Sequence, residues 1–217
     1  AGYHTMMIGK YHHNGFDFKI PPGWDDFYMS NGGRYMGTYR FTNRDNRNGG
    51  HSQNPDDVYR TDQEMIDATR LIKLHTEKQN RQPTADSVSS RRNPELKTKS
   101  SATSNGSQPF FLYLAPLAPH RPVGNDFTNM VHKARYDDWH PELRIPRTPD
   151  FDTAPLSDKP PHRQTPPYTE AELDLLHLEY LSRARAVKSV DDLLGEILET
   201  LKSCGIREST YIFFTSD

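Results

Sequence analysis

The chain has 217 residues, enough for one domain, and only 33% of them are hydrophobic, which is lean for a self-sufficient core. A formal net charge of -2 and a sequence pI of about 6.6 give no reason to expect nucleic acid as a partner. The mean hydropathy is -0.89, and every apolar run falls far short of the ~20 residues that a membrane span needs. One cysteine, Cys204, leaves no intrachain disulfide. The chain opens on "AGYHTMM", with neither an initiator Met nor a charged leader, which leaves a cleaved leader open.

Taken in chain order, the first predicted element is a strand, "YHTMMIGKY" at residues 3–11, which runs into Gly9 and Lys10. Residues 31–57 are rich in Asn, Gly and Arg and read as irregular. "TDQEMIDATRLIKLH" at 61–75 predicts a helix: Thr61 and Glu64 form a capping-box pattern, and Met65, Ala68, Thr69 and Ile72 share one face. Residues 78–108 are polar and poor in aromatics, as a disordered or surface insertion would be. They include a glycosylation sequon, Asn105-Gly106-Ser107, which matters only in a secreted chain. "PFFLYLAPL" at 109–117 is the most apolar stretch and predicts a second strand. Residues 119–168 are Pro-rich without a period.

A long helix follows over 169–205. Thr169 and Glu172 repeat the capping pattern, Leu173, Leu176, Tyr180, Ala184 and Val187 recur at helical spacing, and Gly205 is a stop signal. "STYIFFTSD" at 209–217 predicts a third strand. Short continuous apolar runs read as strands buried on both faces, so the fold class is α/β with a mostly parallel sheet. No internal repeat is visible.

In such sheets functional groups collect at the carboxyl ends of strands. Lys10, His12 and His13 follow the first strand, His120 follows the second, and Asp217 ends the third. A lysine can neutralise non-bridging oxygens, an imidazole can protonate a leaving alkoxide, and a carboxylate can hold a hard divalent cation. Together these groups suit cleavage of a sulfate or phosphate ester. Each also has a plain reading. Lys10 could be a solvated strand end and His12 a loop histidine. A zinc site on His12 and His13 lacks further ligand spacing. His120 lies between Pro119 and Pro122, which restrict the backbone to an extended path. Asp191 and Asp192 are tempting as a metal pair. On a helix they point ~100° apart, so pairing with Arg183, Arg185 or Lys188 is the better reading. Trp24 and its aromatic neighbours could be core or could line a sugar pocket. His13, His75, His132, His140, His162 and His177 read as structural or surface residues.

"GYHTMMIGKYHHNG" resembles a signature of the sulfatase family, G-Y-x-T-x-x-x-G-K, and "APLAPHRP" resembles its A-P-H-x-P segment. "VDDLLGEILETLKSCGIRESTYIFFTSD" is similar to the family helix and strand that end T-S-D-N-G or T-A-D-H-G. "IPPGWDDFY", "VYRTDQEMIDAT" and "RTPDFDTAPLSDKPPH" fit the branch holding N-acetylglucosamine-6-sulfatases, heparan endosulfatases and arylsulfatases. The resemblance implies an alkaline-phosphatase-like sandwich, of which residues 1–217 are the central part of one catalytic domain. It implies that Lys10 bridges substrate sulfate and nucleophile, that His12 hydrogen-bonds the nucleophile, and that His120 contacts sulfate and protonates the leaving group. It implies Asp217 as a Ca2+ ligand.

The family nucleophile is a cysteine in C-x-P-S-R or C-x-A-x-R, converted to formylglycine by a formylglycine-generating enzyme. Neither motif is present, and Cys204 in "KSCGI" reads as a structural or incidental thiol rather than a nucleophile. The amino-terminal Asp-Asp calcium ligands and the residue expected after Asp217 are absent too. Family members run well over twice this length, so the resemblance implies an internal fragment, inactive alone and prone to expose apolar edges. The parent activity it implies is sulfuric ester hydrolysis in a secreted or lysosomal setting. The substrate would be a sulfated sugar, with 6-O-sulfo-glucosamine of a glycosaminoglycan first and an aryl sulfate second. The competing readings are a phosphatase or phosphodiesterase on the same scaffold, and a pseudo-sulfatase that binds anionic sugar.

Overall fold

The computed structural model describes residues 2–11, 21–29, 58–81, 108–120, 132–153 and 157–216. Its elements are strand β1 (His4–Gly9), strand β2 (Asp26–Met29), helix α1 (Arg60–Arg81), strand β3 (Phe110–Ala115) and helix α2 (Glu170–Ser203). Short 3-10 turns lie at Ala134–Tyr136, Pro161–Arg163 and Arg207–Ser209. Helix α1 runs to Arg81, so the first residues of the expected insertion at 78–108 are helical, and 82–107 lie outside the described residues.

Among the described residues the sheet has the order β2-β1-β3, and both pairings are parallel. Met6 stands opposite Asp26 on one side and Leu112 on the other; Gly9 stands opposite Met29 and Ala115. The fold class is α/β, as expected. Successive side chains point to opposite faces. Met6, Ile8 and Tyr28, with Phe110, Leu112 and Leu114, therefore meet the helices. They form one core with Ala68, Leu71 and Ile72 of α1 and Leu193, Ile197 and Leu201 of α2. Met7, Phe27 and Met29 form a second cluster on the other face, with Trp24 against it.

Strand β2 carries no signal in the sequence beyond four mixed residues, and it is specified by its pairing. The Thr5 N–H donates to Asp25 Oδ2 (2.9 Å), the Asp25 N–H returns to the Thr5 carbonyl (2.9 Å), and the Thr5 hydroxyl donates to the Gly23 carbonyl (2.6 Å). These bonds register the entry to β2 against the start of β1.

Two strand expectations change. Strand β3 is not enclosed on both faces: Phe111 is 49% exposed, because the helices cover only the face carrying Phe110, Leu112 and Leu114. The run at 209–217 is not a buried strand in the described residues. Its start lies in the turn Arg207–Ser209, and Thr210 has β-type dihedrals (φ -113°, ψ 119°), but Tyr211 and Phe213 are 90% and 89% exposed. An apolar run becomes a strand only beside an edge that accepts its backbone groups, and no described strand lies alongside this one.

The helix ends also differ from one another. In α2 the capping box forms as read: the Glu172 N–H reaches Thr169 Oγ1 (3.3 Å), and the Thr169 N–H reaches Glu172 Oε2 (2.8 Å). At the other end Gly205 takes φ 71°. Its N–H donates to the Lys202 carbonyl (2.9 Å) while Ile206 N–H donates to the Leu201 carbonyl (3.0 Å), a Schellman closure. In α1 the predicted box does not form. The Tyr59 carbonyl takes the Asp62 and Gln63 N–H groups, which places Thr61 inside the first turn, and Glu64 is buried opposite Arg60. The stripe on α2 shifts as well. Leu173 is buried as expected, but Val187 is exposed, and Leu181, Ala186, Val190, Leu193, Ile197 and Leu201 complete the buried apolar stripe, with Ala186 and Val190 packed on Leu117 and Ala118 of the chain leaving β3.

Candidate active site

Lys10 leaves the carboxyl end of β1 beside the carboxyl end of β3. Its N–H donates to the Ala115 carbonyl (2.8 Å), extending the β1–β3 ladder by one bond. Gly9, just before it, has φ 100°, and a Cβ there would stand 2.1 Å from Ala115 O. Only glycine allows the two strand ends to come this close. The Lys10 side chain is half-buried.

His120 follows Ala115 by five residues. The intervening chain is not extended, as Pro119 and Pro122 led one to expect. Leu117–His120 form a tight turn, closed by the His120 N–H donating to the Leu117 carbonyl (2.7 Å), and the Ala118-Pro119 bond is cis. The turn folds back because Leu117 and Ala118 bury their side chains with Tyr59, Ala186 and Val190. His120 itself faces solvent. Lys10 thus leaves the carboxyl end of β1, and His120 lies on the turn that follows the carboxyl end of the neighbouring β3.

The amino end of α1 supports this turn. Glu64 is fully enclosed and Arg60 nearly so, with Arg60 Nε 3.3 Å from Glu64 Oε1. Burial raises the Glu64 carboxyl to about 8, against the pull of Arg60. Beside it an ionic cluster joins three elements. Lys133 pairs with Asp62 of α1, and Arg135 and Tyr136 both bond Asp192 of α2. Burial and the Asp192 carboxylate push the Tyr136 hydroxyl up to about 12. The sequence reading missed these groups. The signal available was Arg60 and Glu64 at an i, i+4 spacing on the face that also carries Ala68 and Ile72.

Of the other expected site residues, His12 and Asp217 lie outside the described residues. Among the described residues no three His, Cys, Asp or Glu side chains gather as metal ligands would, so they do not by themselves form a calcium site. Cys204 caps the end of α2 and packs on the main core, in keeping with a structural thiol. Lys188 pairs with Asp191 as expected, whereas Asp192 turns to Arg135 rather than to its own helix. Trp24 packs on Phe27 and stacks on Phe111 (6.1 Å between centroids), an arrangement of core type.

A second polar cluster lies at the opposite end of β1, six residues from Lys10 and so on the order of 20 Å away. It borders a cleft of about 100 Å³ lined in part by His4, Asp26, Tyr28, Arg70, His75 and Lys78. His4 Nε2 pairs with Asp26 Oδ2 (2.6 Å), and the His75 ring stacks on His4 (5.1 Å) while its Nε2–H donates to the Gln108 carbonyl (2.9 Å). Arg70 donates to the Tyr28 hydroxyl (3.0 Å). These groups largely satisfy one another, which suits a structural role.

The sulfatase family profile matches residues 1–217. The chain belongs to the sulfatase family. It is 31% identical over 112 residues to sulfatase ppz1 of Metarhizium majus, covering 51% of this chain and 26% of that one. It is 28% identical over 229 residues to an uncharacterized sulfatase of Escherichia coli, covering 100% of this chain and 39% of that one. It is 28% identical over 114 residues to an N-acetylglucosamine-6-sulfatase of Capra hircus, covering 52% of this chain and 19% of that one. The chain therefore spans well under half the length of the curated relatives it matches. Within this sulfatase chain no described helix is long and apolar enough to cross a membrane.

Proposed function

We propose that the protein is a sulfuric ester hydrolase that cleaves O-sulfate esters, and that the edge carrying Lys10 and His120 is part of its active site. The observation that supports the reading is that Lys10 and His120 follow the carboxyl ends of the adjacent parallel strands β1 and β3, which the Lys10 N–H ties together at the Ala115 carbonyl. In a family of sulfatases that edge is where a tetrahedral oxyanion would be held. Lys10 supplies positive charge to non-bridging sulfate oxygens. His120 donates a proton to the departing alkoxide oxygen, which avoids expelling a strong base. His12 would hydrogen-bond the nucleophile, and Asp217 would supply one carboxylate to Ca2+. The nucleophile is a formylglycine outside residues 1–217, made by a formylglycine-generating enzyme. Taken alone, these residues would therefore be inactive.

The substrate class is a sulfated sugar, with 6-O-sulfo-glucosamine of a glycosaminoglycan first and an aryl sulfate second. Similarity to a protein named N-acetylglucosamine-6-sulfatase supports the first choice. Such substrates place the enzyme in a secreted or lysosomal compartment. The test is turnover of 4-nitrocatechol sulfate and of 6-sulfo-glucosamine by the full-length protein, with Lys10→Ala and His120→Ala beside it. Each variant is expected to lose on the order of 100-fold or more in kcat/KM. His120→Ala should lose less with 4-nitrocatechol sulfate, whose leaving group needs little protonation. Hydrolysis of phosphate esters in preference to sulfate esters, or full activity in both variants, would overturn the assignment.

A further inference from the structure

We infer that the stacked imidazoles of His4 and His75 form an acid-released clamp, which fastens the carboxyl-terminal half of α1 to the amino ends of β1, β2 and β3. The inference is independent of the reaction proposed for Lys10 and His120, which lie at the other end of the strands. His4 opens β1, Asp26 opens β2, and Gln108 leads into β3. His75 reaches them from α1. Its ring stacks on His4 with 5.1 Å between centroids and 30° between planes, and stands edge-on to Phe110 at 5.6 Å. Its Nε2–H donates to the Gln108 carbonyl (2.9 Å), and one turn further along α1 Gln79 Oε1 accepts the Gln108 N–H (2.9 Å). His4 Nε2 in turn bonds Asp26 Oδ2 (2.6 Å). One ring, only 7% exposed, therefore joins α1 directly to β1 and β3, and to β2 through His4.

The stack has room for one charged ring, not two. A charge on His4 is matched by Asp26, with Asp25 Oδ2 also 3.8 Å from His4 Nδ1. His75 already carries a hydrogen on Nε2, so a further proton goes to Nδ1 and makes the buried ring a cation. That cation would lie against His4, three residues before Lys78 on the same helix face, in a cleft that Arg70 also lines. The carboxylates nearby are engaged: Asp26 with His4, and Asp67 with Arg70 (3.5 Å). The Tyr28 hydroxyl takes a hydrogen bond from Arg70, and burial raises its pKa, so it stays neutral. Burial likewise holds His75 below its ordinary 6.5, and His4 and Lys78 push the same way, against the Gln108 carbonyl and Asp26. A ring freed from the cleft escapes these costs and binds a proton more readily. The clamp is therefore fully closed above about pH 6.5 and loosens as pH falls below that. Loosening is local, because Ala68, Leu71 and Ile72 keep the earlier turns of α1 in the main core while Glu77 and Lys78 face solvent.

The experiment is amide hydrogen exchange on the full-length protein, corrected for the intrinsic pH dependence of exchange, with the two halves of α1 compared in the same samples. Protection of residues 76–80 is expected to fall about tenfold or more between about pH 7 and 5, while residues 64–72 keep theirs. The comparison within one helix separates a local release from a change in global stability. His75→Gln keeps a side-chain N–H for the Gln108 carbonyl but cannot titrate, and should hold 76–80 constant within about twofold over that range. Exchange of the imidazole C2 hydrogen, followed in the wild-type protein, gives the titration of His75 itself, and its midpoint should coincide with the loss of protection. Unchanged protection of 76–80, an equal fall in both halves, or the same fall in His75→Gln would overturn the inference. Were His75→Gln not to fold, a wild-type His75 midpoint that departs from the midpoint of the protection loss would overturn it equally.

Discussion

Gly9 offers the sharpest test of the closeness of the two strand ends. In Gly9→Ala the new methyl would lie 2.1 Å from Ala115 O and 2.7 Å from Ala115 C. Both are main-chain atoms that pair β3 with β1, so neither can swing aside as a side chain would. The residue must also hold φ 100°, a region that costs an L-residue about 1–3 kcal/mol. Pushing the strands apart adds about 1–3 kcal/mol of overpacking and weakens the bond from Lys10 N–H. Together the loss is about 2–6 kcal/mol, a large part of a typical folding free energy. Gly195 is the matched control. It lies on exposed α2 surface with nothing within 4 Å of a new Cβ, so Gly195→Ala should stabilise by about 0.5–1 kcal/mol. Urea unfolding of full-length protein, with the slope checked for constancy, measures both. Equal midpoints for the two variants would refute the claim that the β1 and β3 ends touch. A destabilised Gly9→Ala that kept full kcat/KM would show that Lys10 does not depend on that contact.

Two further predictions follow from the same elements. Glu64 in the folded chain keeps its proton to about pH 8, against an ordinary value of 4.5. The folded state then binds more protons than the unfolded one between those values, so this contribution to stability is fully present below about pH 4.5. It is lost as pH rises to about 8, with a slope of up to ~1.4 kcal/mol per unit. Unfolding free energies measured across that window should show a fall that Glu64→Gln flattens, and an unchanged profile would contradict the raised pKa. Thr169→Ala removes the side-chain partner of the Glu172 N–H and should lower stability by about 1 kcal/mol in the same urea assay, with activity intact.

Local chemistry made some of this structure legible in advance. Strand β1 is a run of Thr, Met, Met and Ile ending in a glycine. Helix α2 announces its start with Thr169 and Glu172 and its stop with Gly205. These signals act over a few residues, so the sequence alone carries them. What failed depended on distant partners. Strand β2 exists because Asp25 and Asp26 meet Thr5 and Met6, and nothing within residues 26–29 says so. Tyr211–Phe214 have the composition of a strand, but composition does not supply an adjoining edge. Thr61 and Glu64 match a capping pattern, but the helix starts earlier, at the Tyr59 carbonyl, and Glu64 is buried beside Arg60 instead. At the candidate site, Lys10 and His120 could be placed on strand ends from sequence. The turn that carries His120, and the helices that enclose it, could not.

The two halves of the candidate site are held by different means. Lys10 is fixed by strand pairing: its position follows from the β1–β3 register and the bond to Ala115, which extends a continuous ladder. His120 hangs from a turn whose buried apolar anchors among the described residues, Leu117 and Ala118, pack on Tyr59, just before α1, and on Ala186 and Val190 of α2. Those helices are held to each other and to the sheet through Ile72, Leu193 and Ile197, and by the Asp62–Lys133 and Arg135–Asp192 pairs. A disturbance of helix packing therefore moves the imidazole relative to the lysine, whereas a disturbance of strand register moves the lysine first. In the proposed reaction the imidazole and the lysine need a fixed separation to act on one tetrahedral group.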